Sequence, residues 1–353
     1  MEDLPTDLGR LTSPGELCNP LPDGRLECFA CGLRCRLKEG QAGGCRVRMN
    51  GKGRLMVPWG YVAGVQVDPI EKKPFFHVLP GAKALSFGML GCCYKCEFCQ
   101  NWVSSQALRD PEAGCPVREC SPVEIVRAGV EAGATVVTST YNEPLISAEW
   151  AVAVFKEARK AGLRTSFVSN GNATPEAVGF LKPWVDFFKV DLKCFDDGTY
   201  RRLMGGPLQP VLDTIGLLWK EGFWEEVVTL VIPGVNDSDQ ELGAVARFLV
   251  SVSRDIPWHV TAYHRDYKME GPDSTPVSTL LKASQIGKSS GLRYVYAGNL
   301  PGLVEGLEDT ACPDCGTVLV ERLGFRVLGS RLKVEGSKGS CPRCRREIAG
   351  VWS

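Results

Sequence analysis

The sequence predicts an α/β protein built on a parallel sheet and flanked by two small cysteine-rich modules. Three observations carry this. Between residues 84 and 298, short β-branched and apolar runs alternate with amphipathic segments of helical period. The 16 cysteines fall mainly into three groups, near the start, just after the first apolar run, and in the tail. The segments that carry the first and last groups are rich in turn residues and too short for large cores of their own.

Residues 1–16 are punctuated by Pro and Gly and are expected as a flexible N-terminus. Residues 17–80 are expected as a cysteine-rich, metal-binding β subdomain, because GRLMVPWGYVAGVQV (53–67) mixes Val, Tyr and Trp with Gly and Pro. Residues 81–305 are the predicted core and 306–353 a separate C-terminal module. The core opens with ALSFGML (84–90), a strand. SPVEIVRAGVEAG (121–133) reads as a helix with Ser121 as N-cap, Pro122 at the first position and Glu124 completing a capping box. ATVVTST (134–140) is the second strand, SAEWAVAVFKEARKAG (147–162) a helix stopped by Gly162, and LRTSFVSN (163–170) the third strand. TPEAVGFLK (174–182) is a helix capped by Thr174, and WVDFFKVDLK (184–193) the fourth strand. VLDTIGLLWKEG (211–222) and EEVVTLVI (225–232) supply the next helix and strand. SDQELGAVARFLVSV (238–252) is a helix with a Ser238/Glu241 capping box, before the strand PWHVTAY (257–263). VSTLLKASQIGKSSG (277–291) and LRYVYAG (292–298) close the series. Right-handed crossovers allow either a doubly wound sheet or a partial or closed barrel, and periodicity does not choose. In both, function gathers at the C-terminal ends of the strands.

Composition narrows the function. Lys plus Arg equals Asp plus Glu, 41 each, which removes the electrostatic case for bulk nucleic-acid binding. No stretch approaches the roughly 20 apolar residues that span a bilayer, and the acidic start MEDLPTDLGR lacks the apolar core of a signal peptide. The expectation is a cytoplasmic protein, in which clustered cysteines are metal ligands more often than disulfides.

The stretch LGCCYKCEFCQNW (90–102) follows the first core strand and contains Cys92, Cys96 and Cys99. Three thiolates leave one iron of a four-iron cluster without a protein ligand, open to a substrate or cofactor. Cys93 offers a tighter alternative with Cys96 and Cys99. Further polar motifs end the following strands: STYNEP (139–144), SNGN (169–172), KVDLK (189–193) and VIPGVNDS (231–238). Asp191 and Lys193 lie two residues apart and share one face of a strand. HRDYKM (264–269) brings His264 and Tyr267 to the end of the sixth strand.

The C-x3-C-x2-C spacing after the first strand, with Phe98 before the last cysteine, resembles the signature of the radical S-adenosylmethionine (radical SAM) superfamily. The resemblance implies a partial TIM-type barrel. It also implies a [4Fe–4S] cluster on Cys92, Cys96 and Cys99, and reductive cleavage of S-adenosylmethionine to a 5′-deoxyadenosyl radical. It favours Cys92 over Cys93. By the same resemblance, Glu143 accepts the methionine ammonium, although Tyr141-Asn142 stands where the superfamily often has two glycines. Ser169 and Asn170 face the ribose, with Gly171 allowing a tight turn. Lys193 takes the carboxylate, positioned by Asp191, as in the activases of glycyl-radical enzymes. Val231 and Ile232 supply apolar contact to the adenine.

Over nearly its whole length the chain resembles the radical SAM enzymes of the AmmeMemoRadiSam system, relatives of pyruvate formate-lyase activating enzyme. The segments that carry this include CFACGLRCRLKEGQAGGCRVR (28–48), VDPIEKKPFFHVLPG (67–81), PWHVTAYHRDYKM (257–269) and YVYAGNLPG (294–302). The resemblance implies an electron donor such as a flavodoxin or ferredoxin, and AMMECR-type and Memo-type companion proteins. The substrate is left open, and activation of a glycyl-radical enzyme is the alternative within the same chemistry.

Cys312, Cys315, Cys341 and Cys344 have zinc-ribbon spacing and are expected to hold a structural zinc, with an iron or iron–sulfur site as the alternative. Cys28, Cys31, Cys35 and Cys45 are less regular, and zinc or a second iron–sulfur cluster both fit. Cys18, Cys115, Cys120 and Cys194 read as ordinary thiols. The competing non-enzymatic reading is a zinc-binding interaction scaffold in which all three groups are structural.

Overall fold

The structure is a computed structural model that describes residues 6–353. Its centre is an eight-stranded sheet. Seven strands are parallel and follow one another in chain order: Lys83–Gly88, Val136–Ser139, Arg164–Ser169, Phe187–Asp191, Trp224–Val231, Trp258–Ala262 and Val295–Gly298. A doubly wound sheet reverses its strand order at a switch point. Here the order never reverses. Every right-handed crossover therefore lays its helix on the same side, and the sheet must curl to bury its other face. This selects the partial barrel over the doubly wound alternative.

The helices arise where the sequence places them. Pro122–Glu131 begins with the reciprocal Ser121/Glu124 box. The Thr174 hydroxyl caps Pro175–Leu181 by accepting from the Ala177 amide. The Ser238/Glu241 box forms only by half. Ser238 accepts from the Glu241 amide, but the Glu241 carboxylate turns away to accept from the Phe195 amide, a stronger tertiary claim on its charge. Helices Ala148–Lys160, Gln209–Lys220, Asp239–Val252 and Val277–Ser290 complete the outer layer.

An aromatic chain packs helix against sheet. Phe87, Phe155, Phe167, Phe188 and Phe223 succeed one another with ring centroids 6.3, 5.7, 5.5 and 5.1 Å apart. The first three are fully buried, each contributing roughly 2–3 kcal/mol of transfer free energy.

The N-terminal segment is more tightly built into the barrel than expected. Gly64–Pro69 pairs antiparallel with Lys83–Gly88 as the edge of the main sheet, inside the stretch assigned above to the cysteine-rich subdomain. Thr12–Pro14, expected in a flexible terminus, forms a strand against Arg54–Pro58. The remainder of that terminus through residue 5 lies outside the described residues. The Arg48 guanidinium, 1% exposed, makes two bonds to the Glu149 carboxylate on the barrel helix, at 2.6 and 2.7 Å. The tail folds as two three-stranded sheets, docked through a cluster of Phe76, Tyr294, Tyr296, Ile348 and Trp352. Among the described residues, no helix is long and apolar enough to cross a membrane.

Candidate active site

A cavity of about 400 Å³ opens at the C-terminal ends of the parallel strands. The loop after the first strand brings Cys92, Cys96, Phe98 and Cys99 to its wall. Cys93 points away. It is buried, its sulfur accepts from the Asn170 side-chain amide at 3.2 Å, and it contacts the Cys31 thiol of the N-terminal segment. The two thiols touch each other, but only Cys92 reaches the cavity wall. Burial pushes the Cys96 and Cys99 thiols up, and the nearby Lys193 ammonium partly offsets this. The donor set and the shared cavity fit an iron–sulfur cluster.

The second strand ends in Thr140-Tyr141-Asn142-Glu143. Tyr141 holds φ at +71°, in the left-handed region where the superfamily's glycine would be at ease. Room for it comes from Gly88 on the neighbouring strand, where an added Cβ would lie 2.6 Å from the Thr140 carbonyl and 2.9 Å from Tyr141. The Asn142 side-chain oxygen, Oδ1, accepts from the Met89 amide at 3.1 Å, tying this turn to the cysteine loop. Glu143 is 1% exposed and its carboxylate accepts three hydrogen bonds: from Leu145 N at 3.0 Å, Ser169 Oγ at 2.7 Å and Asn170 N at 2.7 Å. Burial pushes its carboxyl up to about 7 despite these donors. Ser169 and Asn170 reach the cavity, yet the Ser169 hydroxyl and the Asn170 amide are committed to Glu143. Gly171 takes φ of +73° as the turn requires.

On the fourth strand Lys189, Asp191 and Lys193 alternate onto the cavity face. Asp191 Oδ1 pairs with Lys189, and Oδ2 lies 3.2 Å from Lys193 Nζ. Burial alone would raise the Asp191 carboxyl, but the two ammoniums hold it down at about 2. The Lys193 ammonium also sits 5.9 Å from the centre of the Phe98 ring. The Asp191–Lys193 pair thus forms as expected, and Lys189 joins it. The period-two pattern of KVDLK carried that signal.

Val231 and Ile232 depart from expectation. Both are buried and neither lines the cavity; Val228 and Leu230 do. Strand alternation turns Val228 and Leu230 inwards and Val231 outwards. His264 and Tyr267 also stand off the cavity. His264 hydrogen-bonds the Gln100 side chain at 3.0 Å, and Tyr267 donates to Asp110 at 2.6 Å and stacks on Trp102. Sequence reasoning missed Lys72, Lys73, Asn299 and Phe325 on the cavity wall. Phe325 carried no signal at all, since it arrives from a hairpin of the C-terminal module.

In that module Cys312, Cys315, Cys341 and Cys344 place their sulfurs within 4.8 Å of one another, with pairs at 3.5 and 3.6 Å. A tetrahedral zinc thiolate site has sulfur–sulfur edges of about 3.8 Å. The geometry fits one metal ion. Among the described residues, Cys28, Cys31, Cys35 and Cys45 are not gathered in this way. Cys28 accepts from Arg48 Nε at 3.3 Å, Cys35 from Gly44 N at 3.4 Å, and Cys31 lies against Cys93.

The chain is similar to known proteins. Residues 88–249 match the Radical SAM superfamily. An archaeal relative, the uncharacterized protein MJ0808 of Methanocaldococcus jannaschii, is 36% identical over 330 residues, 93% of this chain and 96% of its own length. A pyruvate formate-lyase-activating enzyme of Staphylococcus epidermidis is 23% identical over 197 residues, covering 53% of this chain and 76% of that protein. Among solved structures, a radical SAM methyltransferase from Sphaerobacter thermophilus aligns over 86% of this chain and 84% of its own, with 16% identity and a TM-score of 0.48. The chain belongs to the radical SAM superfamily and is distantly related to the pyruvate formate-lyase-activating enzymes. It is a radical SAM enzyme, which sets aside the scaffold reading.

Proposed function

We propose that Cys92, Cys96 and Cys99 ligate the [4Fe–4S] cluster and that the strand-end residues beside them bind S-adenosylmethionine. The observation that carries this is the convergence of those three thiols, Glu143 and the Asp191–Lys193 pair on one cavity. When bound and reduced, the cluster supplies the electron that cleaves the cofactor to 5′-deoxyadenosyl radical and methionine. Lys193, held by Asp191, meets the cofactor carboxylate as a charge-assisted donor. Glu143 offers its remaining acceptor capacity to the ammonium, while Ser169 and Asn170 hold that carboxylate in place. Val228 and Leu230 supply the apolar face for the adenine, in place of Val231 and Ile232. The surrounding walls exclude water from a radical that attacks whatever lies close.

The chain-long segments quoted above favour an enzyme of the AmmeMemoRadiSam type. It takes its electron from a flavodoxin- or ferredoxin-like donor and works with AMMECR-type and Memo-type companions. Four thiolates at tetrahedral spacing favour zinc in the C-terminal module. The test is anaerobic reconstitution followed by counts of iron, sulfide and 5′-deoxyadenosine formed with dithionite. About four irons per chain beyond the zinc, and cluster-dependent cleavage, are expected. Cys96→Ala abolishes both, while Cys93→Ala keeps both; full cleavage in the Cys96 variant overturns the assignment.

A further inference from the structure

The cavity has a second charged pole away from the cysteines. Lys72, Lys73, Lys189 and Lys193 line it together with only two carboxylates, Glu143 and Asp191. A third, Asp68, binds Lys72 at 2.9 Å and Lys73 at 3.0 Å. Part of this cationic excess belongs to the cofactor: Lys193 lies within electrostatic reach of Cys96 and Asp191. Lys73 is different. Its charged neighbours are Asp68, Lys72 and Lys189, with no thiol among them. Its side chain is 5% exposed, with the ammonium 3.5 Å from the Tyr141 hydroxyl and 4.9 Å from that ring's centre. Lys72 and Lys73 share one carboxylate, Asp68, and Lys189 and Lys193 share another, Asp191, so four ammoniums meet two carboxylates and positive charge is left for an incoming anion.

The chain also holds this pole in place from two directions. Arg322 and Glu71 form an ion pair with no exposure, at 3.4 Å, and Arg322 donates to the Phe76 carbonyl at 2.8 Å. Glu71 immediately precedes Lys72 and Lys73, and Arg322 roots the hairpin whose tip, Gly324-Phe325, reaches the cavity. The Glu308 carboxylate accepts from Gly324 N at 2.8 Å and Gly302 N at 3.0 Å, fixing that tip. The four-cysteine module thus anchors the lysine segment and adds an aromatic side chain, Phe325, to the cavity wall.

We propose that Lys73 and Lys189, flanked by Lys72 and Phe325, form the substrate subsite, and that it takes a compound carrying a phosphate or carboxylate group. The inference rests on the reading of this cavity as the S-adenosylmethionine site. Lys193 is then occupied by the cofactor carboxylate, and the far lysines are left for the substrate's anion. The substrate carbon that loses hydrogen lies between the anion and the cofactor, so the anionic group sets which carbon is exposed.

The test uses the reconstituted full-length protein under anaerobic conditions with saturating S-adenosylmethionine. Inorganic phosphate is titrated and followed by phosphorus NMR line width, and carbon-13 acetate is titrated in parallel. The cluster is kept oxidised so that the cofactor is not cleaved, and saturable line broadening on binding to the protein is expected. Phosphate binding much tighter than acetate assigns a phosphate substrate; acetate binding at least as tight assigns a carboxylate. Lys73→Met weakens the bound anion at least tenfold, and Lys73→Arg restores it to within about threefold. Should Lys73→Met not fold, Lys72→Met serves, with about threefold weakening expected. Cofactor binding is measured on the same samples. Wild-type protein that binds S-adenosylmethionine but neither anion, or anion binding unchanged in the lysine variants, overturns the subsite alone. Loss of cofactor binding together with anion binding in wild type overturns both readings.

Discussion

Replacing Lys193 with Met separates cofactor recognition from folding. The Lys193 backbone is held without its side chain: its amide donates to the Tyr200 hydroxyl at 3.2 Å, and its carbonyl accepts from Asn236 Nδ2 at 2.6 Å. Asp191 loses one of two partners and keeps Lys189, so no orphaned carboxylate results. The cost to folding is the weaker half of a partly exposed pair, about 1 kcal/mol. Binding suffers more. The cofactor carboxylate loses a charge-assisted donor worth about 1.5–3 kcal/mol, or about 10- to 150-fold in Kd. It also comes to face Asp191 with less positive charge between them. The assay is anaerobic equilibrium dialysis of S-adenosylmethionine against protein with its full iron content, with a denaturation curve on the same preparation. A Kd within twofold of wild type at full iron would refute the placement of the cofactor carboxylate. A loss of several kcal/mol in folding stability would refute the view that Lys189 suffices for Asp191.

Lowering pH through about 7 should weaken S-adenosylmethionine, because the buried Glu143 protonates there and no longer faces the ammonium as an anion. The sign for folding is opposite: a raised carboxyl pKa makes its stabilising contribution fully present below its ordinary range near 4.5 and lost as pH rises through about 7. Glu143→Gln flattens the binding profile, and a profile unchanged in that variant excludes Glu143 as its origin. Arg48→Met strands the Glu149 carboxylate in the interior and should cost about 3–5 kcal/mol by urea denaturation, with much of the loss recovered in the Arg48→Met/Glu149→Met double variant. A loss under 1 kcal/mol would mean that water reaches Glu149. Cys341→Ser should release the C-terminal metal, read by elemental analysis, and open residues 306–353 to limited proteolysis; retained metal and unchanged cleavage would show a site without structural weight.

The alternation of strand and helix, the caps at Ser121 and Thr174 and the tail's paired C-x2-C motifs were legible because each depends on residues within a few positions of one another. The same locality explains why KVDLK revealed the Asp191–Lys193 pair. The expectations that failed needed information from elsewhere in the chain. Glu241 follows Ser238 at capping-box spacing, but the Phe195 amide, 46 residues away, claims its carboxylate. Val231 and Ile232 are apolar and stand at a strand end, yet the facing of that strand is set by the sheet.

The sequence by itself pointed to the class of chemistry, through the resemblance of Cys92, Cys96 and Cys99 at their spacing to the radical SAM signature. It also determined the elements that carry the site, because hydrophobic period and capping are local. Tertiary structure decided the rest. Only the folded chain brings Cys92 rather than Cys93 to the cavity wall and adds Phe325 to the cavity that Lys73 lines. The physical reason is that a side chain's partners depend on which face its backbone presents and which distant segment packs there. Both are settled when the sheet curls and the N-terminal segment and the tail are tied to it by buried ion pairs, Arg48 with Glu149 and Arg322 with Glu71.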